Sequence, residues 1–468
     1  MAKRLIFCFD GTWNRLSADN PTNVVQLAQM VRPVASDGTP QIVYYDEGIG
    51  TGTYFAKRLW QGMFGEGMEA ILREAYRFLI FNYDPGDEIF IFGFSRGAFT
   101  ARSFAGFIRH AGILDVVSAS KIDEAIQLYK ASPAGQSGIE LLAALDFRSR
   151  HCTAVCVSED DRSYRMQTIE GFDAATPLLD IRYLGVWDTV RALGVPDAVP
   201  LSRHLNREYG FHDAVLTSKI RAARHAVALD ERRITFPPTL FGREKVDEFN
   251  ARAEVQRGRP FEDWEKPYQE QWFPGVHGAV GGGGARRGLS DAALHWVLSG
   301  ARRAGLQLRS SAGSVVFAIC PDPFDEMFND PPGWTKRLQG RVHDLLRIAR
   351  KGPVHADEIS LCAYRRWHDT EAPVRYEPRS LRGVAELLKK WPYASPPQTK
   401  SAPVSYTVEF EDYELGPDDT LSRLAKARLG DPKSWRILFD YNRDRIDDPD
   451  FLPTRVNLRL PRAGMPNE

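Results

Sequence analysis

Hydrophobic positions in the first third of the chain switch between two spacings. Arg4–Phe9 is a continuous apolar run that stops in the turn cluster Asp10-Gly11-Thr12, as a buried strand does. Asn20-Pro21-Thr22 opens a helix, with Pro suited to a first helical position and Asn or Thr able to cap it. Val24, Leu27, Ala28 and Val31 form its stripe. Ile42–Tyr45 is a short strand leading into the turn-rich Asp46–Gly50. Met68, Ile71, Leu72, Ala75 and Leu79 return at helical spacing, Pro85-Gly86 breaks that helix, and Glu88–Phe94 is again apolar throughout. Apolar strands separated by amphipathic helices predict a mostly parallel sheet with helices on both faces, an α/β fold. Thr153–Val157, Ile181–Trp187, Ala223–Leu229 and Ser314–Cys320 are the later strand candidates. Residues 241–272 are polar with little periodicity and read as an excursion over the surface. Ser290, after Gly281–Gly284, caps a helix carrying Ala293, Leu294, Val297 and Leu298.

The pattern changes near residue 393. Residues 393–403 are rich in Pro and Ser and read as a linker between a domain at 1–392 and a small unit at 404–461. That unit has its own order: strand Tyr406–Phe410, helix Leu421–Arg428, helix Ser434–Asn442 and strand Val456–Leu460.

Composition narrows the choices. Of 468 residues 43% are hydrophobic and 26% charged, a globular balance. Sixty-one basic residues match 61 acidic ones, which removes the electrostatic footprint of a nucleic-acid binder. The N-terminal apolar run is too short for a signal peptide, and no apolar stretch is long enough to span a bilayer, so the chain is expected to be cytoplasmic as synthesised. Cys8, Cys152, Cys156, Cys320 and Cys362 form an odd, scattered set that suits a reducing compartment. No second pair accompanies Cys152 and Cys156, so no metal is expected.

The sharpest motif is Gly93-Phe94-Ser95-Arg96-Gly97, G-x-S-x-G between an apolar strand and the helix Ala98–His110. Such an elbow lifts a serine hydroxyl out of the sheet above a helix N-terminus, whose N–H groups favour a developing oxyanion. A serine needs a base, and on this kind of scaffold an acid and then a histidine follow it in the chain. Asp188, closing the run Ile181–Trp187, is the acid candidate, and Asp230, closing Ala226–Leu229, competes with it. His277 lies in the Gly/Pro-rich stretch Trp272–Val280 with no helix or strand face to fill, whereas His110, His204, His225 and His295 sit on apparent helices or strands. Arg96 would give one oxyanion N–H and the loop at Gly11 or Thr12 the other, with Trp13 beside the substrate. Tyr54–Phe64, which includes Trp60, has two readings: an apolar and basic lid over an acyl pocket, or an internal helix packed on the sheet. The chemistry needs no cofactor.

FDGTWN, TNVVQLA, YYDEGIGTG, the long block around GFSRGAF, LGVWDTV and WFPGVHGAVGGGG resemble, in this order, the α/β-hydrolase family called domain of unknown function 2235, which includes catalytic domains of type VI secretion phospholipase effectors. The resemblance covers roughly residues 1–320, least at the insertion 115–175. It implies a serine lipase whose serine, acid and histidine fall on Ser95, Asp188 and His277, a lipid or other ester as substrate, peripheral membrane contact, and delivery by a specialised secretion system. Members often carry an aspartate where this chain has Ala279.

The tail resembles a LysM module through Tyr406-Thr407-Val408, Asp418–Leu421, Gly430-Asp431-Pro432, Trp435, Asn442 and Leu458–Pro461, with its first turn lengthened by Glu411–Gly416. That implies a small α+β domain that binds peptidoglycan or other N-acetylglucosamine glycans. The competing functional reading is a non-catalytic cell-wall glycan-binding protein on a hydrolase scaffold.

Overall fold

The computed structural model describes residues 2–11, 20–48, 64–131, 138–190, 216–217, 219–233, 236–309, 319–327, 349–369 and 375–390; in the tail it describes 410–416, 419–429, 457–461 and isolated positions between them. In chain order the elements are β1 (Arg4–Phe9), α1 (Asn23–Met30), β2 (Gln41–Asp46), α2 (Phe64–Asn82), β3 (Glu88–Phe94) and α3 (Arg96–Ala111). Next come α4 (Ile122–Ala131), α5 (Gly138–His151), α6 (Glu159–Thr168), β4 (Ile181–Trp187), β5 (Ala223–Ala228), α7 (Arg243–Arg257) and β6 (Tyr268–Phe273). Then follow α8 (His277–Gly281), α9 (Gly288–Arg303), α10 (Leu361–Trp367), α11 (Ala385–Lys390), β7 (Phe410–Glu414), α12 (Leu421–Leu429) and β8 (Asn457–Pro461).

Strands β1 to β6 form one sheet in the order β2-β1-β3-β4-β5-β6, and every pairing is parallel. Successive side chains of a strand point to opposite faces, and both faces here are covered, so β1 reads apolar from Leu5 to Phe9. Leu5, Phe7 and Phe9 join a core with α2, α3 and α4. Ile6 and Cys8 join the opposite core, with α1 and α9. Phe104 of α3 closes the first core, its ring 4.8 Å from Phe7 and 5.4 Å from Phe9. A third cluster stands at the β5–β6 side, where Val227, Leu229 and Trp272 pack against Ile359, Ala363, Leu381 and Leu388.

Local signals held where apolar periodicity was strong and shifted at the ends. Thr22 alone caps α1, accepting from Val25 N at 3.2 Å, so Pro21 stands outside the helix. Ser290 is not the cap of α9, which starts at Gly288; its hydroxyl donates back to Arg287 O at 3.0 Å. Thr153–Val157 forms no strand. Val155, Cys156 and Val157 are buried, and Cys156 makes only an isolated bridge to Leu178. The rest of the 115–175 insertion is largely helical, with Asp161 held by Arg148 at 3.1 Å and Arg165 at 2.9 Å. The predicted strand Ser314–Cys320 lies almost wholly outside the described residues.

The larger correction concerns 241–272, which supplies helix α7 and the last strand of the sheet instead of a surface excursion. Strand β6 reads YQEQWF because its polar side chains are satisfied from inside. Gln269 donates to the carbonyls of Asp263 and Lys266, and Glu270 accepts from Phe241 N at 2.6 Å and pairs with His225. In the tail, β7 and β8 pair antiparallel, and Leu421, Leu424, Ala425, Leu438, Leu458 and Leu460 form a separate small cluster. The described strand β7 covers much of Glu411–Gly416, read from sequence as a lengthened turn. Alternation puts Glu411, Tyr413 and Leu415 on one face, with Tyr413 and Leu415 on the cluster and Glu411 paired with Arg428, while Asp412 on the other face pairs with Arg445. Residues 393–403 and 404–409, and all but isolated positions of Ser434–Asn442, lie outside the described residues.

Candidate active site

The elbow is built by close approach of backbone. A Cβ on Gly97 would lie 2.2 Å from Phe9 O and 2.4 Å from Asp10 O, and one on Gly93 would lie 2.4 Å from Gly97 O, so no side chain fits at either position. Between them Ser95 takes φ 61° at the start of α3. Asp188, one residue past β4, takes φ 37°, and these two are the non-glycine residues with left-handed φ among the described residues. Strain of this kind persists only where its surroundings impose it. Here the sheet does so: Phe94 pairs with Trp187, and Ser95 N donates to Trp187 O at 3.0 Å. Serine and acid thus stand one step past the ends of neighbouring strands.

His277 opens α8 and lies across both. Its Nδ1 is 2.6 Å from Asp188 Oδ2 and its Nε2 is 2.7 Å from Ser95 Oγ. An ionised carboxylate only accepts, so Nδ1 carries the proton and Nε2 is left to accept from the Ser95 hydroxyl. The imidazole sits between the rings of Phe94, 4.6 Å away, and Phe236, 5.0 Å away. His277 N points at Glu231 Oε2, 3.3 Å away, and Glu231 is itself paired with Arg233.

Asp188 is fully buried yet stays ionised. Burial opposes its charge, but the Arg350 guanidinium and the His277 ring override that and hold the carboxyl far below the usual range. Arg350 Nη1 donates to Oδ1 at 2.6 Å, Nη2 to Oδ2 at 3.0 Å, and Ala228 N to Oδ1 at 2.9 Å. The competing carboxylate, Asp230, faces elsewhere. Its Oδ2 accepts from Gly275 N at 2.7 Å and from the Tyr376 hydroxyl at 2.8 Å, fixing the loop that leads into His277, and burial raises its pKa. Of the two acids, the structure brings Asp188 to the histidine.

The Arg96 amide lies at the N-terminus of α3 beside Ser95, and burial lowers its guanidinium to about 10. Gly11 N is engaged by Asp10 Oδ1 at 2.7 Å, which departs from the expected oxyanion role of that amide. Asp10 also accepts from Thr22 Oγ1 at 2.6 Å and Tyr45 Oη at 2.9 Å, so its carboxylate braces the loop next to the elbow. Thr12, Trp13, Trp60, most of Tyr54–Phe64 and His204 lie outside the described residues. His225 is buried as expected, and it is tied into the acid loop. It accepts from Thr189 N at Nε2, 3.1 Å, and faces Glu270 Oε2 at Nδ1, 2.8 Å. Arg350, Tyr376 and Glu231 carried no sequence signal: each lies outside any motif and is brought to the site by the fold. Among the described residues no group of three or more His, Cys, Asp or Glu could hold a metal ion. No described helix is long and apolar enough to cross a membrane.

A family model for the type VI secretion system phospholipase effector Tle1-like catalytic domain matches residues 3–300. A Saccharomyces cerevisiae protein, the uncharacterized protein YEL023C, is 27% identical over 252 residues, covering 51% of this chain and 33% of that one. An uncharacterized protein from Pseudomonas aeruginosa is similar at 18% identity and TM-score 0.32, over 66% of this chain and 46% of that one. The Tle1 effector, solved bound to the VgrG spike of the type 6 secretion system, is similar at 18% identity and TM-score 0.30, over 60% of this chain and 51% of that one. The chain thus spans a third of the yeast relative and about half of each solved chain. Through residues 3–300 the chain belongs to the type VI secretion Tle1-like phospholipase effector catalytic-domain family.

Proposed function

We propose that the protein hydrolyses carboxylic esters, with phospholipid acyl esters as substrate, by a serine mechanism. The observation that carries the reading is the unbroken chain from Ser95 Oγ through His277 to Asp188 at the carboxyl edge of a parallel sheet. Ser95 attacks the acyl carbonyl while His277 takes its proton at Nε2. The same proton then goes to the leaving alcohol, and water repeats the sequence on the acyl-enzyme. Asp188 fixes the tautomer and favours the imidazolium that forms. The Arg96 amide meets the oxyanion. With the Gly11 amide on Asp10, Thr12 is assigned the second donor, and Trp13 and Trp60 the acyl chain.

Residues 404–461 are assigned to a LysM-like module that holds the enzyme at peptidoglycan, next to the membrane, and a specialised secretion system to its delivery. Phospholipid vesicles treated with wild type and with Ser95→Ala test the central claim. Wild type should release fatty acid, and the variant should be slower by several orders of magnitude. Equal release from both would end the serine reading, and a fluorophosphonate probe that fails to label wild type would do the same.

A further inference from the structure

Two carboxylates face His277, and each has its own arginine. Glu231, near the His277 amide, is bridged by Arg233 at 2.7 and 2.9 Å. Asp188, on the ring, is bridged by Arg350 through both guanidinium Nη atoms, and Arg350 Nη2 and His277 Nδ1 share one oxygen, Oδ2. Arg350 is buried, its Nη atoms also reach Ala228 O at 2.9 Å and Phe236 O at 2.7 Å, and its Nε has no partner among the described residues. A buried cation with an unsatisfied donor is an expensive way to brace a loop, since an apolar side chain would pack there without desolvating a charge. Among the described residues the other contacts of the ring, Ser95 and the faces of Phe94 and Phe236, bring no charge.

We infer that Arg350 is a positioning residue that sets the charge balance of the Ser95–His277–Asp188 chain: it divides the Asp188 charge between two cationic partners and so keeps His277 available as a neutral base toward acidic pH. The inference rests on the serine hydrolase reading above. The physical argument is Coulombic. A lone buried carboxylate would favour the imidazolium strongly, leaving Ser95 without a base. A permanent guanidinium on the same carboxylate opposes a second positive charge beside it, while still fixing both oxygens in the plane His277 needs. Arg350 belongs to the C-terminal segment of the chain, beyond the residues 3–300 matched by the family model. The same segment sends Tyr376 to Asp230, which holds the loop before His277, so two separate contacts from it reach the site.

The test compares R350K with R350Q, checked first for folding by thermal melting, in fluorophosphonate labelling of Ser95 between pH 5 and pH 9. Both variants lose the bidentate fork, but only R350Q loses the charge. R350K should label more slowly with the wild-type pH profile. R350Q should move the acid limb toward higher pH, so that its labelling at pH 6 relative to pH 8 falls roughly five- to tenfold below wild type. Identical pH profiles for R350Q, R350K and wild type would reduce Arg350 to a structural brace and overturn the inference. Failure of wild type to label at any pH would instead sink the serine reading. The charge balance is then read from the chemical shift of the downfield Nδ1 proton of His277 by NMR, whose upfield step on loss of the Nε2 proton should come at higher pH in R350Q than in wild type and R350K if the inference holds, and at the same pH if it does not.

Discussion

Asp188 and Asp230 both end an apolar run at the carboxyl edge of the sheet, and their hydrogen-bond partners separate their roles. Asp188 meets His277 and Arg350, whereas Asp230 meets Gly275 N and Tyr376. Asp188→Asn should lower kcat roughly 10³–10⁴-fold, because an amide offers N–H to Nδ1 and selects the wrong tautomer. Asp230→Asn keeps an oxygen for Gly275 and Tyr376 and should cost less than about tenfold. Steady-state kinetics on a soluble ester checks the pair, and the reverse order would move the acid to Asp230. Asp188 also affects stability with a definite sign. Its folded pKa lies below its unfolded value of about 3.9, so its contribution is in place above that value and is lost only as pH falls toward the folded one. Ser95, Asp188 and His277 were legible because each sits where a sequence pattern ends: a G-x-S-x-G turn, a strand terminus, a Gly/Pro loop. Arg350 was not, because it meets Asp188 across 162 positions and belongs to no motif.

At the level of elements, the strand–turn–helix unit around Ser95 depends on the absence of two side chains. Gly97→Ala would place a methyl against backbone oxygens of Phe9 and Asp10, atoms that cannot swing aside. The expected loss is about 3 kcal/mol or more in urea unfolding, at the upper end of overpacking effects, together with loss of Ser95 labelling. A change under about 0.5 kcal/mol would mean that β1 and α3 are further apart than described. Elements with buried apolar faces, β1, β3, β4 and α3, were readable to within a residue or two. Strand β6 escaped because Gln269 and Glu270 find their partners inside the protein, so the sheet's last strand presents the composition of a loop. Thr153–Val157 erred the opposite way, since a short apolar run is equally at home as a turn buried under helices.

The whole molecule divides by where its cores lie. Two cores flank the sheet, a third ties residues 359–388 to β5 and β6, and the tail has a separate small cluster. Two truncations follow from this. A chain ending after Ala402 should remain folded and hydrolyse soluble esters at close to the full rate, while the isolated tail pellets with peptidoglycan. A chain ending after Arg309 should fail to fold or label, because it loses Arg350, Tyr376 and the third core. Limited proteolysis, expected first within 393–403, and ester assays on both chains decide these points. An inactive first truncation would make the tail part of the hydrolase. The α/β architecture was legible from alternation alone; the need for residues 349–390 was not, because a segment of short helices and turns gives no sign of the surface it will cover.

Ser95 and Asp188 each stand one residue beyond adjacent strands that are in register at Phe94 and Trp187. The sheet therefore works as a ruler: the gap between Ser95 and Asp188, the proposed nucleophile and acid, is one strand spacing. Surface loops inserted between α3 and β4 can lengthen, shorten or be exchanged without altering that gap. Selection can thus rewrite which molecules reach the serine while leaving the reaction at its surface unchanged, and a designer could graft such loops from one relative to another on the same terms.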